Sequence, residues 1–531
     1  MTDETLSPEF AATVAAGYTF DSPTLALGAL VQGEEATESA QVRVPLAMLT
    51  RHGLVAGATG TGKTRTLQLM AEGLSDAGVP VFVADIKGDL TGMAIDGEPQ
   101  DFIAKRAADI GQDWSPASYP LEFYSLGGIG SGVPIRTTVT DFGPLLMSKV
   151  LGLNDTQESS LSLIFHWADT NKLALLDLKD LRAVIQYLTS PEGKDELKGI
   201  GGVSPASAGV ILREISGLEA QGAEEFFGEP AFDTKDLLVV GADGRGTISA
   251  LELPSLQDRP ALFSTFLMWL LADLFADLPE VGDVDKPKLV FFFDEAHLLF
   301  TDASKDFLTQ VTQTVRLIRS KGVGIFFVTQ SPKDVPADVL GQLGSRVQHA
   351  LRAFTPEDAA ALKAAVRTYP NSPYDLEEVL TTLGTGEAVV TVLSEKGAPT
   401  PVAWTRLRAP RGSMDIAPSE VITAVINASA GEAKYALETD RESAYELLAT
   451  RVETADAAAQ QAAADKAAAE AKAKADAAAA KAETATRRSS RKDKSVVEEV
   501  LTSSTAKSLA RSAGRELINQ ISRSIFGVRK R

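Results

Sequence analysis

The chain is 531 residues long, 44% apolar and free of cysteine, so it can bury a large core in two or three structural units but form neither disulfides nor a thiolate metal site. Its net charge of −19 is uneven: residues 487–531 hold 12 Lys/Arg against 4 Asp/Glu, leaving the rest at −27. An acidic body argues against nucleic acid coating the whole surface, and the four histidines (His52, His166, His297, His349) show no ligand spacing. There is no charged-then-apolar leader and no apolar run of roughly 18–20 residues, so a soluble cytoplasmic protein is expected.

Residues 1–45 show short apolar stretches with little pattern and read as a short N-terminal extension. From about residue 46, apolar runs alternate with helical segments, the pattern of βαβ units on a mainly parallel sheet. HGLVAGA (52–58) is expected as a strand, residues 63–78 as a helix and VPVFVAD (79–85) as the next strand. Between about 141 and 235, apolar residues recur at helical spacing instead. This predicts a helical insertion, whose Leu181–Leu188 stretch packs rather than binds a ligand. Strands resume with TISALEL (247–253), KLVFFFDE (288–295), VGIFFVTQ (323–330) and SRVQHALRA (345–353). GEAVVTVL (386–393) and PVAWTRL (401–407) read as an antiparallel edge. The core then spans 46–410, followed by a helical connector at 411–450. Residues 451–486 contain 19 Ala among 36 residues, strong helix formers with little to bury, hence a solvated helical spacer. Residues 487–531 predict a basic joint and a basic amphipathic helix, suited to a protein partner, self-association, a membrane surface or nucleic acid.

GATGTGKT at 57–64 satisfies G-x-x-x-x-G-K-[ST] between an apolar strand and a long helix. Gly57, Gly60 and Gly62 let the backbone N–H groups of Ala58, Thr59 and Thr61 and their neighbours turn toward one anion, and the helix N-terminus adds partial positive charge. Lys63 would reach the β- and γ-phosphates and the Thr64 hydroxyl would ligate Mg²⁺. The sequence therefore predicts nucleoside triphosphate binding.

VFFFDEAHLLF (290–300) reads as a buried strand delivering Asp294 and Glu295. Asp294 is placed to hold Mg²⁺ through water. Glu295 is placed to polarise an attacking water, which points to a hydrolase. The letters DEAH are those of a helicase box, but no Ser-Ala-Thr triplet and no Q-x-x-G-R-x-G-R helix follow. His297 is therefore read as a packing or hydrogen-bonding residue.

RHGLVAGATGTGKT (51–64), VADIKGDLTG (83–92), VFFFDEAHLL (290–299), IRSKGVGIFFVTQSP (318–332) and SRVQHALRAFTPED (345–358) together resemble the HerA–FtsK superfamily of ring-forming P-loop ATPases, and within it the bacterial HerA-like branch (the YjgR type). The resemblance covers roughly residues 46–410. It implies an α/β, RecA-like P-loop NTPase core of the additional-strand, catalytic-Glu type, with ATP and Mg²⁺ as cofactors and a homo-oligomeric, hexameric ring. It also implies that Gln330 senses the γ-phosphate, that Arg319 is an arginine finger reaching a neighbouring subunit, and that Arg51 is a second arginine near the phosphates. Arg346 and Arg352 compete with Arg319 for the finger role. An arginine supplied across an interface stabilises charge on the transferred phosphoryl group and ties hydrolysis to assembly. About 45 N-terminal residues are too few for the β-barrel of archaeal HerA motors. FtsK-type membrane spans and winged helix are missing, so action on DNA is inherited from the resemblance. The alternative is an ATPase that remodels or scaffolds protein partners, membrane-associated through its C-terminal helix.

Overall fold

The computed structural model describes residues 7–197, 201–256, 259–300 and 305–489. The chain divides into two compact units, Met1–Thr450 and Arg451–Arg531. Among the described residues of the first unit, twelve strands form one sheet. They are β1 (Thr24–Gln32), β2 (Glu35–Pro45), β3 (Gly53–Ala56), β4 (Val81–Asp85), β5 (Leu121–Leu126), β6 (Val133–Ile135), β7 (Ile248–Glu252), β8 (Leu289–Phe293), β9 (Val323–Thr329), β10 (Ser345–Gln348), β11 (Glu387–Thr391) and β12 (Ala403–Leu407). Their order in space is β2-β1-β12-β11-β10-β3-β9-β8-β4-β7-β5-β6. Every pairing from β10 across to β6 is parallel. Every pairing from β10 out to β2 is antiparallel.

The parallel centre is apolar because helices cover both its faces. In β8 and β9 every residue is buried, and the register places Phe292 beside Phe326 and Phe293 beside Phe327, with ring centroids 5.3 and 5.8 Å apart. Alternation then splits the run between two layers. Phe292 and Phe326 join Leu67 and Met70 of the helix Lys63–Asp76 in one core. On the opposite face Phe291 meets Phe82, which meets Phe266 of the helix Pro260–Asp277. The helix Lys63–Asp76 is capped by Gly62, in the left-handed region at φ 108°, and stops before Gly78 at φ 68°.

Three features depart from the sequence reading. Residues 24–45, expected as a patternless extension, form the hairpin β1–β2, which pairs through β1 with β12. β11 and β12 are therefore interior to the sheet and β2 is its edge. β5 and β6 extend the parallel side where no strand was expected. The run at 345–353 is a strand only to Gln348, because the chain must leave the sheet there to wrap the site described below. The helical insertion is present as Val139–Val150, Asp155–Thr170, Leu178–Thr189 and Pro205–Glu219. Capping boxes at Asn154/Gln157 and Asp177/Asp180 set two of its starts, and Leu181, Val184, Ile185 and Leu188 are buried as packing residues.

After β12 the chain crosses the helix Lys63–Asp76 as an extended strap. Buried Glu72 accepts hydrogen bonds from the Arg411 and Gly412 N–H groups at 2.7 and 3.0 Å, and Gln68 donates to the Ser413 carbonyl at 3.0 Å. Helices Ser419–Ala428 and Ala430–Tyr435 follow. The second unit continues the helix Ala444–Ser489, with Glu453 through Ala482 all exposed. The predicted basic amphipathic helix falls beyond residue 489, outside the described residues. Among the described residues, no helix is long and apolar enough to cross a membrane.

Candidate nucleotide site

Parallel strands deliver their carboxyl ends to one edge of the sheet, and there the candidate residues converge. β3 ends in the loop 57–64 and β8 in Asp294 and Glu295. β9, which ends at Thr329 just before Gln330, lies between those two strands. β4 ends in Asp85, β7 in Glu252, and β10 is followed by His349.

The loop is held from below by its neighbours. The Gly57 N–H donates to the Thr329 carbonyl at 3.2 Å, the Ala58 N–H to the Ala350 carbonyl at 2.8 Å and the Gly386 N–H to the Thr61 carbonyl at 2.9 Å. Gly60 has φ 81°, and a Cβ built there meets nothing within 4 Å, so it stands in open space. Gly57 is confined instead: a Cβ would lie 2.4 Å from the His349 Cβ. The Lys63 ammonium is buried and donates to the Ala58 carbonyl at 3.2 Å. Burial pushes its pKa down, against the pull of Glu295. Thr64 opens the helix beside it.

His349 was missed by the sequence reading. It is fully buried under the loop, its Nε2 lies 2.8 Å from the Thr66 hydroxyl, and its backbone N–H donates to the Ala56 carbonyl at 2.7 Å. Burial, helped by the Lys63 charge, lowers its pKa to about 4, so it props the helix start as a neutral ring.

Asp294 is 2% exposed. Its Oδ1 accepts from the Glu295 N–H at 2.9 Å, while its Oδ2 is buried without a hydrogen-bond partner among the described residues. Burial raises its pKa to about 7, the Lys87 charge working against that rise. An orphaned acidic oxygen across one strand from the phosphate loop fits a site for a hydrated divalent cation. Glu295 sits at φ 45°, a rare left-handed position for a side chain that is not glycine. Its Oε1 pairs with the Lys87 Nζ at 2.5 Å and its Oε2 lies 3.3 Å from the His297 Nδ1. Burial works to raise the Glu295 pKa, and the Lys87 hydrogen bond and charge overcome it, leaving it lowered. Lys87 was quoted in the sequence pattern VADIKGDLTG but given no role there. The register that sets β4 against β8 brings it to Glu295.

Gln330 lines a cavity of about 570 Å³ with Ala58, Thr59, His297, Lys333 and Arg352, beside the phosphate loop. Arg352 Nη2 lies 3.4 Å from the Thr59 carbonyl. Arg346 faces away, donating to the Thr368 hydroxyl and lying 6.0 Å from the Tyr369 ring centre. Arg319 and Arg51 are elsewhere. Arg319 lies in the turn before β9 and Arg51 before β3, so both stand at the amino edge of the sheet. β9 has seven residues, so at about 3.3 Å each the strand separates this edge from Gln330 by roughly 20 Å. The expectation that Arg51 lies near the phosphates is therefore not met within one chain: the strand that carries the loop at one end carries Arg51 at the other. Burial and then the charge of Arg319 lower the Arg51 pKa. Arg319 Nη2 is 3.6 Å from the Asp283 carboxylate.

Among similar proteins are the DNA double-strand break repair helicases HerA of Sulfurisphaera tokodaii, 23% identical over 374 residues (70% of this chain, 67% of the relative), and of Sulfolobus acidocaldarius, 24% identical over 360 residues (66% and 64%). The chain thus spans about two thirds of the length of these relatives. A solved structure of the plasmid coupling protein TrwB in complex with ADP and Mg²⁺ aligns at TM-score 0.49 and 15% identity, covering 76% of this chain and all of that one. The profile of the family described as "Helicase HerA-like C-terminal" matches residues 31–531. With its phosphate loop, its intervening β9 and its Asp294–Glu295 pair in place, the chain belongs to the HerA-like C-terminal family of P-loop ATPases.

Proposed function

We propose that this chain is a Mg²⁺-dependent ATP hydrolase that works as a homo-hexameric ring and moves along DNA. The observation that carries the hydrolase is the strand order β3-β9-β8, which sets Glu295 and the orphaned Asp294 oxygen across one strand from the phosphate loop, with Gln330 between. In this reading the loop N–H groups of residues 57–64 and Lys63 bind the triphosphate. Thr64 and, through water, Asp294 hold the cation, which supplies charge neutralisation on the phosphates. Glu295 accepts a proton from the attacking water and Gln330 orients the terminal phosphate. Residues 46–410 form the motor, 411–450 connect it to the helical spacer, and the tail at 487–531 serves partner or self-association.

The ring is supported by where the arginines stand. Arg319 and Arg51 share the sheet edge remote from their own phosphate loop, so a transition-state role for either requires a second copy of the chain. The relatives' names as DNA helicases support DNA as the polymer. The experiment is subunit mixing. Arg319→Ala should bind ATP nearly normally and hydrolyse it poorly. Glu295→Gln should bind ATP and turn over about 10²-fold or more slowly. Mixed, the two should recover activity, because some interfaces pair an intact Glu295 with a neighbour's intact Arg319. Two variants that stay inactive at every ratio although they co-assemble, or a fully active Arg319→Ala, would overturn the trans assignment. Failure of double-stranded DNA to stimulate the parent's hydrolysis would overturn the DNA part.

A further inference from the structure

Lys87 combines a fixed backbone with a movable side chain. Asp85, fully buried at the end of β4, accepts hydrogen bonds from the N–H groups of Lys87, Gly88 and Leu90 at 3.2, 2.7 and 3.0 Å, with Gly88 at φ 70° closing the turn. The Lys87 side chain extends from that pivot with 41% of its surface exposed, and its ammonium rests on Glu295 at 2.5 Å. Glu295 is fixed on its own side, with its N–H on Asp294 and the following Ala296 N–H on the Val328 carbonyl at 2.8 Å. The Lys87 charge also acts on Lys63 in the phosphate loop. A carboxylate oxygen occupied by an ammonium has less capacity to take a proton from water, and a terminal phosphate offers that ammonium more negative charge than one carboxylate does.

We infer that Lys87 is a triphosphate-sensing latch on Glu295: without a terminal phosphate its ammonium holds the carboxylate, and a bound γ-phosphate draws the ammonium away. The latch rests on the reading of Glu295 as the water-activating residue. It gives that site discrimination between nucleoside tri- and diphosphates before any bond is broken.

The test is a double-mutant cycle on nucleotide affinity, which needs no turnover. Dissociation constants for a non-hydrolysable ATP analogue and for ADP, each with Mg²⁺, are compared in the parent, Lys87→Met, Glu295→Gln and the double variant. Removing a negative charge beside the γ-phosphate tightens binding by itself, so the latch shows in the difference. Glu295→Gln should tighten the analogue about three- to fivefold more when Lys87 is present than when Met replaces it, the scale of a partly exposed ion pair. Lys87→Arg should keep the larger gain, and ADP affinity should stay within about twofold throughout. A gain that is equal or smaller with Lys87, or one shared by ADP, would overturn the latch alone. Loss of both nucleotides from the parent would overturn the phosphate-site reading and the latch with it.

Discussion

Asp294→Asn should stabilise the nucleotide-free protein at alkaline pH while removing its response to Mg²⁺. Burial moves this carboxyl from its ordinary 3.8 to about 7, so at pH 8 holding it ionised costs about 4 kcal/mol at 1.36 kcal/mol per pH unit. A raised folded-state pKa means that the folded protein binds the proton more tightly than the unfolded chain. The favourable contribution is therefore full below about 4 and lost as pH rises to about 7. Asparagine keeps the oxygen that accepts from the Glu295 N–H and puts an amide donor where the orphaned Oδ2 stood; left unpaired, that donor costs about 1–3 kcal/mol. The balance is a gain of about 2 kcal/mol at pH 8 that shrinks toward zero near pH 5. Denaturant melts of parent and variant at the two pH values, in EDTA, read this difference directly. Adding Mg²⁺ with an ATP analogue should reverse the order, because only the carboxylate gains from the cation. A variant less stable than the parent at pH 8 in EDTA, or a difference that does not change with pH, would refute the reasoning.

Lys63→Ala should abolish triphosphate binding, since it removes the buried ammonium fixed over the loop; an equilibrium titration with unchanged affinity would move the phosphate site elsewhere. The two loop glycines should fail differently. Gly57→Ala forces a Cβ to 2.4 Å from that of His349, an overpacking of about 1–3 kcal/mol that should show as a lower melting point. Gly60→Ala meets no neighbour but must hold φ 81°, about 1–2 kcal/mol of strain, and should mainly weaken nucleotide binding by disfavouring the loop conformation that turns its N–H groups inward. Equal melting points for parent and Gly57→Ala would contradict the packing. A chain ending at Thr450 should remain folded and bind nucleotide, because Glu453–Ala482 are exposed throughout. An insoluble product, or one without ATP affinity, would count against treating 451–531 as an appendage.

What was legible in the sequence was whatever is contiguous. Strands buried on both faces read as apolar runs, so β3, β4, β8 and β9 were found, and the phosphate loop and Asp294–Glu295 came with them. β1 and β2 escaped because register shifts between Ala26 and Gly28 and between Ala29 and Leu30 break the alternation that marks a half-buried strand. β5 (LEFYSL) and β6 (VPI) both precede the insertion, and Glu122 and Pro134 interrupt their apolar runs.

His349 and Lys87 escaped for a different reason. Each gains its meaning from a neighbour far away in sequence, His349 from β10 lying against β3 and Lys87 from β4 lying against β8. No local pattern encodes such pairings. Arg51, which the resemblance set near the phosphates, stands six residues before Gly57 in sequence but at the opposite edge of the sheet from its own phosphate loop. A β-strand converts six residues into most of the depth of the sheet, so the residue next to the motif in the chain lies far from it in space. That conversion is also what makes Arg51 and Arg319 available to another copy of the chain. One short strand, β3, presents a phosphate loop at one edge and an arginine at the other. Stacking like copies with edge facing edge would then bring the loop of one to the arginines of the next, which a single copy cannot do for itself.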